Sequence, residues 1–220
     1  MGTVLVTGAN RGIGLSLVKL LQARGDKVIA ACRRETPELT ALGVEVASGV
    51  DVSSDKSVNL LVEKLGGRAL ELVINNAGLL TSEGFPNVDF AAIQKQIEVN
   101  AYGPLRVTAK LVPNLKRGAK VALITSRMGS IADNSSGGMY GYRMSKAALN
   151  AAGKSLALDL APRGVAVAIL HPGYVKTDMT DNHGTVLPDD AARDLLKRID
   201  ELTLQNSGTF WHANGEVLPW

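Results

Sequence analysis

An α/β fold built on a doubly wound parallel sheet is what this 220-residue sequence predicts, on three observations. Short β-branched runs alternate with longer segments at helical spacing, the pattern of successive βαβ units. The central runs are apolar almost throughout, as strands are when helices cover both faces of a sheet. The first run leads without a gap into a glycine-rich stretch that opens a helical segment, as at the start of a Rossmann-type domain.

Taken in order, the apolar runs place strands near 2–7, 27–32, 44–49, 70–75, 120–125 and 165–170. Helical spacing fills 12–24, 55–65, 89–113, 142–161 and 188–201, and the segment 209–212 can add a last strand. LLTSEGFPNV at 79–88 and GSIADNSSGG at 129–138 read as loops, long enough to close over a bound molecule. No repeat, linker or abrupt change of composition divides the chain. Residues 1–220 are therefore expected to form a single Rossmann-type domain with helices on both faces of the sheet.

Composition narrows the function. With 45% hydrophobic and 20% charged residues the chain can bury a sizeable core without metals or disulfides. The formal net charge of +3 comes from scattered Lys and Arg, with few aromatic residues among them, which argues against a nucleic-acid partner. Apolar stretches such as VAVAIL at 165–170 fall far short of the ~20 residues that span a bilayer. MGTVLVTG has neither a basic n-region with an apolar segment nor the Ser or Thr of a myristoylation signal. The single cysteine, Cys32, fits a reducing compartment and reads as a packed strand residue. The expected location is cytoplasmic, away from membranes.

The stretch Thr7-Gly8-Ala9-Asn10-Arg11-Gly12-Ile13-Gly14 sits between the first strand and the first helix. Glycine at 8, 12 and 14 lets the backbone turn sharply and approach a pyrophosphate, whose charge meets the N–H groups and positive dipole end of the helix. The spacing G-x-x-x-G-x-G differs from the commoner G-x-G-x-x-G, so the strand–turn–helix setting carries the argument against a plain tight turn. The second strand ends Ala30-Ala31-Cys32-Arg33-Arg34, without the carboxylate that binds the ribose hydroxyls of NAD. A guanidinium there can take the extra phosphate of NADP, so Arg33 favours NADP over NAD, with Arg11 available from the other side. The alternative is that these arginines are solvated strand-end charges.

In YGYRMSK at 140–146 two tyrosines precede one lysine. Helical residues four apart differ by about 40° in direction, while residues six apart differ by about 240°, so Tyr142 can meet Lys146 and Tyr140 cannot. An ammonium ~5 Å from a phenolate at an effective dielectric near ~20 favours ionisation by roughly 3 kcal/mol, about two pKa units. Tyr142 is thus expected to have a lowered pKa suited to acid–base work.

These features occur together with others in a fixed order: TGANRGIG at 7–14, VDV at 50–52, NNAG at 75–78, VNAYGP at 99–104, ITSRMGSI at 124–131, YRMSK at 142–146 and HPGYVKTDM at 171–179. In this the chain resembles the short-chain dehydrogenase/reductase family over nearly its whole length. TSRMGS, GGMYGYRMSKAALN and the LPW ending look closest to its C-factor-like group. The resemblance implies a nicotinamide-dependent carbonyl reductase or alcohol dehydrogenase acting on a small molecule. Tyr142 would be the general acid or base, with Lys146 lowering its pKa and holding the nicotinamide ribose. Ser126 would bond the substrate oxygen, and Asn100 would hold a water that links Lys146 to solvent. The cofactor would lie along Gly8, Asn10, Arg11, Gly12, Ile13, Gly14 and Arg33. Asp51 and Val52 would stand at its adenine, Asn76, Ala77 and Gly78 at the adenosine ribose, and Pro172, Gly173, Val175 and Thr177 at the nicotinamide. The family also implies a homodimer or homotetramer through the 142–161 helix. Its small residues Ala147, Ala148, Ala151, Ala152 and Gly153 suit either that contact or packing on the sheet.

Two departures from the family pattern bear on the site. Ser126 precedes Tyr142 by more than the usual interval, which leaves Ser130 as a second candidate; Ser126 is preferred because it follows the strand directly. The segment after Thr177 is short, so the site is expected either to be open and unselective or to depend on loops 79–88 and 129–138 for closure. His171 reads as structural, and His183 and His212 lack partners at ligand spacing, so no metal site is expected. Hydrolase elbows and P-loops are absent from the sequence. The rival class is a cofactor-binding sensor or C-factor-like signalling protein with little turnover.

Overall fold

The structure, a computed structural model, describes residues 2–220. Seven strands form one parallel sheet in the order β3-β2-β1-β4-β5-β6-β7. They are β1 (Thr3–Thr7), β2 (Lys27–Cys32), β3 (Glu45–Ser48), β4 (Leu70–Asn75), β5 (Leu115–Ile124), β6 (Ala166–His171) and β7 (Phe210–His212). The direction of winding reverses between β1 and β4. A crevice at that switch point, outside the carboxyl ends of the strands, is where open α/β sheets bind ligands. The doubly wound fold read from the sequence is the fold present, and 209–212 does add the last strand.

The near-continuous apolar runs are explained by two separate cores. On one face, α1 (Gly12–Ala23) and α7 (Pro188–Asp200) bury Leu17, Leu21, Leu195 and Ile199 against Val4, Val6, Ile74 and Leu170. On the other, α3 (Asp55–Leu65), α5 (Gly103–Leu111) and α6 (Tyr140–Leu160) bury Leu61, Val107, Leu111 and Leu149 against Leu5, Val73, Leu123 and Ile169. Alternate residues of each strand face opposite cores, so both sets must be apolar.

Several boundaries differ from the sequence reading. The single helix expected over 89–113 is α4 (Phe90–Ile97), a π turn (Glu98–Tyr102) and α5, ending in a 3-10 turn (Val112–Asn114). The π turn carries Asn100 and swings its side chain toward α6. The fifth strand begins at Leu115, and α6 starts at Tyr140, two residues before the expected point. A short helix, α2 (Pro37–Thr40), was not expected, although Thr36 as N-cap with proline in the first turn is a legible start signal. The small residues of α6 divide between two roles. Gly153 faces Leu123 and Ile169 of the sheet, while Ala148 and Ala151 lie on an exposed stripe with Met144, Ser155 and Leu158.

The helix α1 can sit low on the glycine turn only because Gly14 has no side chain. A Cβ there would lie 2.1 Å from the Gly8 carbonyl oxygen and 2.6 Å from Asn76 Nδ2. Gly14→Ala is expected to cost about 3 kcal/mol or more, read as a lowered midpoint in urea unfolding, because backbone has to give way.

Candidate active site

The crevice is built from the loops that leave β1, β4, β5 and β6. Gly8 and Gly12 hold left-handed conformations, φ 65° and 52°, that let the chain double back after β1. Helix α1 has no side-chain cap and no acidic residue in its first turn, so its leading N–H groups are available to an anion. These features fit a pyrophosphate.

The turn is held from β4. Asn76 Nδ2 donates to the carbonyls of Thr7 and Gly8, both at 3.1 Å, and the Thr7 hydroxyl accepts the N–H groups of Asn76 and Ala77, again at 3.1 Å. The side chain of Asn76 therefore braces the glycine turn. Gly78 lies closer to the catalytic candidates, with Asn100 Oδ1 and Met179 Cε within 3.5 Å and 3.8 Å of where its Cβ would stand.

Beyond β2, Arg33 and Arg34 are exposed. Burial alone would raise the Asp51 carboxyl, but bonds from Ser53 and the charges of Arg33 and Lys95 hold it below its usual range. The Thr36 hydroxyl donates to the Asn10 carbonyl at 2.9 Å and ties the segment after β2 to the glycine turn. Arg11 is engaged by a carboxylate. Its Nη1 pairs with Asp178 at 2.9 Å, across the crevice mouth, and the Thr177 methyl lies 3.2 Å from where a Gly12 Cβ would stand. Cys32 is buried and burial pushes its thiol up, in line with its reading as a packed residue.

Tyr142 and Lys146 meet as the helical spacing requires, with Nζ 5.6 Å from the ring centroid. The ammonium lies under the ring and donates to the Ile124 carbonyl at 2.9 Å. The lowered pKa expected for Tyr142 is not found in the protein alone. Burial pushes the phenol up to about 12, against a hydrogen bond with Ser126 that favours the phenolate, and burial pulls Lys146 down to about 8. Desolvation outweighs the Ser126 bond, and the same burial disfavours the charged form of Lys146.

Ser126 stands two residues past the end of β5, and its hydroxyl oxygen accepts the Met128 N–H at 3.2 Å, which leaves its proton for Tyr142. Ser130 is engaged elsewhere: its hydroxyl donates to the Trp220 main-chain oxygen at 3.1 Å and accepts the Asp133 N–H at 3.1 Å. The same Trp220 oxygen takes the N–H groups of Ile131 and Ala132, while Arg127 pairs with Glu216 at 2.8 Å and the Trp220 ring stacks on Phe210. The C-terminal segment thus braces the loop that carries Ser126, a contact that no local pattern announced.

Asn100 is a bracket. Its Oδ1 accepts the Leu79 N–H at 2.7 Å, and its Nδ2 donates to the Leu79 carbonyl at 2.7 Å and to Ser145 Oγ at 3.0 Å. Both amide hydrogens are used, so the expected water would have only a spare lone pair on this side chain. Pro172, Gly173 and Thr177 are half-buried at the end of β6, while Val175 is buried and bridges to Val186. His171 and His212 pack edge to face, with ring centroids 4.9 Å apart. No group of metal-ligating side chains occurs among the described residues.

A family model for short chain dehydrogenases matches residues 2–186. The chain is 45% identical, over all of both chains, to 1-hydroxy-2-glutathionyl-2-methyl-3-butene dehydrogenase of Rhodococcus sp. (strain AD45). It is 46% identical to C-signal of Myxococcus xanthus over 69% of this chain and 93% of that one. Among solved structures, the NADPH-bound carbonyl reductase from chicken fatty liver superposes with a TM-score of 0.87 at 30% identity, covering 99% of this chain and 98% of its own.

Burial, with the charges of His212, Arg127 and Lys146 adding to it, pulls His171 from 6.5 down to about 3, so the folded chain holds it neutral. The unfolded chain binds that proton first, so stability is full above pH ~6.5 and falls as pH drops toward 3, by up to about 1.4 kcal/mol per unit. Urea unfolding between pH 7 and 5 should show this slope in wild type and a shallower one in His171→Gln. His212, also lowered by burial, leaves a residual slope of the same sign.

Proposed function

Because the chain belongs to the short-chain dehydrogenase family, we propose that it is an NADP-dependent oxidoreductase interconverting a carbonyl compound and its alcohol. The observation that carries this reading is Tyr142 above Lys146, hydrogen-bonded with Ser126, beside an uncapped glycine turn.

A bound nicotinamide supplies the hydride chemistry. The chain supplies the proton and the means to hold the oxygen. With its pKa raised to about 12, Tyr142 keeps its proton at neutral pH and presents it to a carbonyl oxygen, which suits reduction. Ser126 donates to the same oxygen and stabilises the charge that develops there. Lys146 orients the ring and holds the nicotinamide ribose, and Pro172, Gly173, Val175 and Thr177 border the nicotinamide. Asn100 works by fixing α6 against the 79–88 loop. Arg33, Arg34 and the missing strand-end carboxylate support NADP over NAD, and Asp51 with Val52 borders the adenine.

The name of the Rhodococcus relative places glutathionyl alcohols on the substrate panel beside simple ketones and aldehydes. A homodimer or homotetramer fits the exposed apolar side chains of α6, Met144 and Leu158, and those of the π turn and α5, Tyr102 and Leu105. The free, buried cysteine fits a reducing, cytoplasmic setting, and no helix among the described residues is long and apolar enough to cross a membrane.

A second reading is favoured by the 46% identity to C-signal: a cofactor-binding protein that signals with little turnover. NADPH oxidation over the panel separates the two, since NADPH binding without turnover on any member supports the sensor. For the enzyme, Tyr142→Phe is expected to lower kcat by about 10²- to 10⁴-fold. Equal rates in both proteins would remove Tyr142 as the acid. Arg33→Ala should weaken NADPH by roughly 10- to 100-fold in fluorescence titration while leaving NADH unchanged.

A further inference from the structure

Among the described residues, two charged side chains are buried, Lys146 and Glu83. Lys146 belongs to the catalytic set; Glu83, 4% exposed in the 79–88 loop, has no part in it so far. A buried carboxylate persists only where donors satisfy it. Its Oε1 accepts Gln96 Nε2 at 2.7 Å and the Thr81 hydroxyl, and its Oε2 accepts the Gly141 N–H at 3.1 Å. Its main-chain carbonyl takes the Met139 N–H at 3.0 Å.

Those last two donors begin the helix that carries Tyr142. Helix α6 has no cap of its own: Met139 stands at the cap position in a left-handed conformation, φ 53°, and its side chain makes no cap bond. The fit around Gly141 is close, because a Cβ there would lie 2.2 Å from Gln96 Nε2 and 3.1 Å from Glu83 Oε2. Gln96 also accepts the Thr81 N–H at 3.1 Å, and one turn further on Asn100 grips Leu79 and Ser145. The loop, the π-interrupted helix and the first turns of α6 are thus one hydrogen-bonded unit, and Tyr142 follows the capped residue directly.

We propose that Glu83 is a positioning residue for the reaction: it caps α6 from a separate loop and sets where the Tyr142 hydroxyl stands relative to Ser126. The proposal rests on the reading of Tyr142 as the proton donor. Charge and geometry both favour a carboxylate here. Negative charge suits a helix N-terminus, and both oxygens must accept. A glutamine at 83 would turn an amide N–H₂ on either the Gly141 N–H or the Gln96 N–H₂, donor against donor. Exchanging the two side chains, with Glu83→Gln and Gln96→Glu together, restores acceptors to the Gly141 and Thr81 N–H groups and re-pairs the two side chains, with the Thr81 hydroxyl turning to accept.

The test compares wild type, Glu83→Gln and the double exchange in NADPH oxidation, NADPH titration and amide hydrogen exchange over residues 140–143. Glu83→Gln is expected to lower kcat by about tenfold or more, as small misplacements of catalytic groups do. NADPH affinity should stay within about twofold, exchange at 140–143 should quicken, and the double exchange should reverse both changes, since acceptors are again matched to donors. A wild-type kcat in Glu83→Gln would overturn the proposal. So would a double exchange that stays inactive or fails to fold, or a loss of kcat and NADPH affinity together. If wild type turns over nothing on the panel, the reading of Tyr142 as acid fails on its own. The exchange rates then still decide the cap, because unchanged rates at 140–143 in Glu83→Gln reject it.

Discussion

The site depends on one helix being held at a fixed height against the carboxyl edge of the sheet. Helix α6 carries both Tyr142 and Lys146, so any sliding or rotation of it moves the two together relative to the crevice. Three contacts oppose that motion. The turn 127–129 packs so closely that a Cβ at Gly129 would lie 2.7 Å from the Lys146 carbonyl carbon. Ser145 is gripped by Asn100, and Gly141 by Glu83. Lys146 adds a fourth from within, since its ammonium ends on the Ile124 carbonyl and so ties the helix to β5. Long side chains placed this way lose little further freedom on binding, which is the condition for preorganised chemistry.

Burial gives this pair its chemical character. In water the Tyr142 phenol would lose its proton to strong base only, and Lys146 would be charged at any working pH. Taken out of water, both move toward their neutral forms, the phenol up to about 12 and the ammonium down to about 8. On the proposed reading of Tyr142 as proton donor, the protonated phenol is the form required, and the Ser126 bond favours the phenolate that would remain after transfer. Helical spacing brings Tyr142 and Lys146 together as expected, while the phenol pKa moves up rather than down in the protein alone. Coulomb attraction depends on distance, which helical periodicity supplies, whereas desolvation depends on everything packed around the pair.

That distinction describes what was legible elsewhere. The strands, the major helices and the pairing of Tyr142 with Lys146 follow from periodicity, because a period is a local property. The glycine turn was legible for the same reason, since left-handed φ at Gly8 and Gly12 is a demand made by single residues. What local pattern did not disclose is who holds whom across the fold. Asn76 and Arg11 belong to readable motifs, yet their side chains reach the Thr7 and Gly8 carbonyls and Asp178. Glu83 and Trp220 lie 58 and 90 residues from the groups they brace, in segments that read as loop and tail. The π turn that aims Asn100 at α6 was likewise hidden inside a helix-like run.

The Arg11–Asp178 pair bears on how the crevice admits a ligand. Both side chains are largely exposed, 60% and 68%, and an ion pair in that setting contributes at most about 1 kcal/mol. A phosphate reached by the same guanidinium in bidentate fashion offers charge-assisted bonds worth about 1.5–3 kcal/mol. An exposed pair of this strength is therefore too weak by itself to close the glycine turn against an anionic ligand. What it does constrain is the turn 177–180, whose Thr177 and Thr180 cap each other and which touches the glycine turn at Gly12. The turn is also tied to the chain before it, since the Thr180 hydroxyl donates to the Val175 carbonyl at 2.7 Å as well as to that of Thr177 at 3.0 Å.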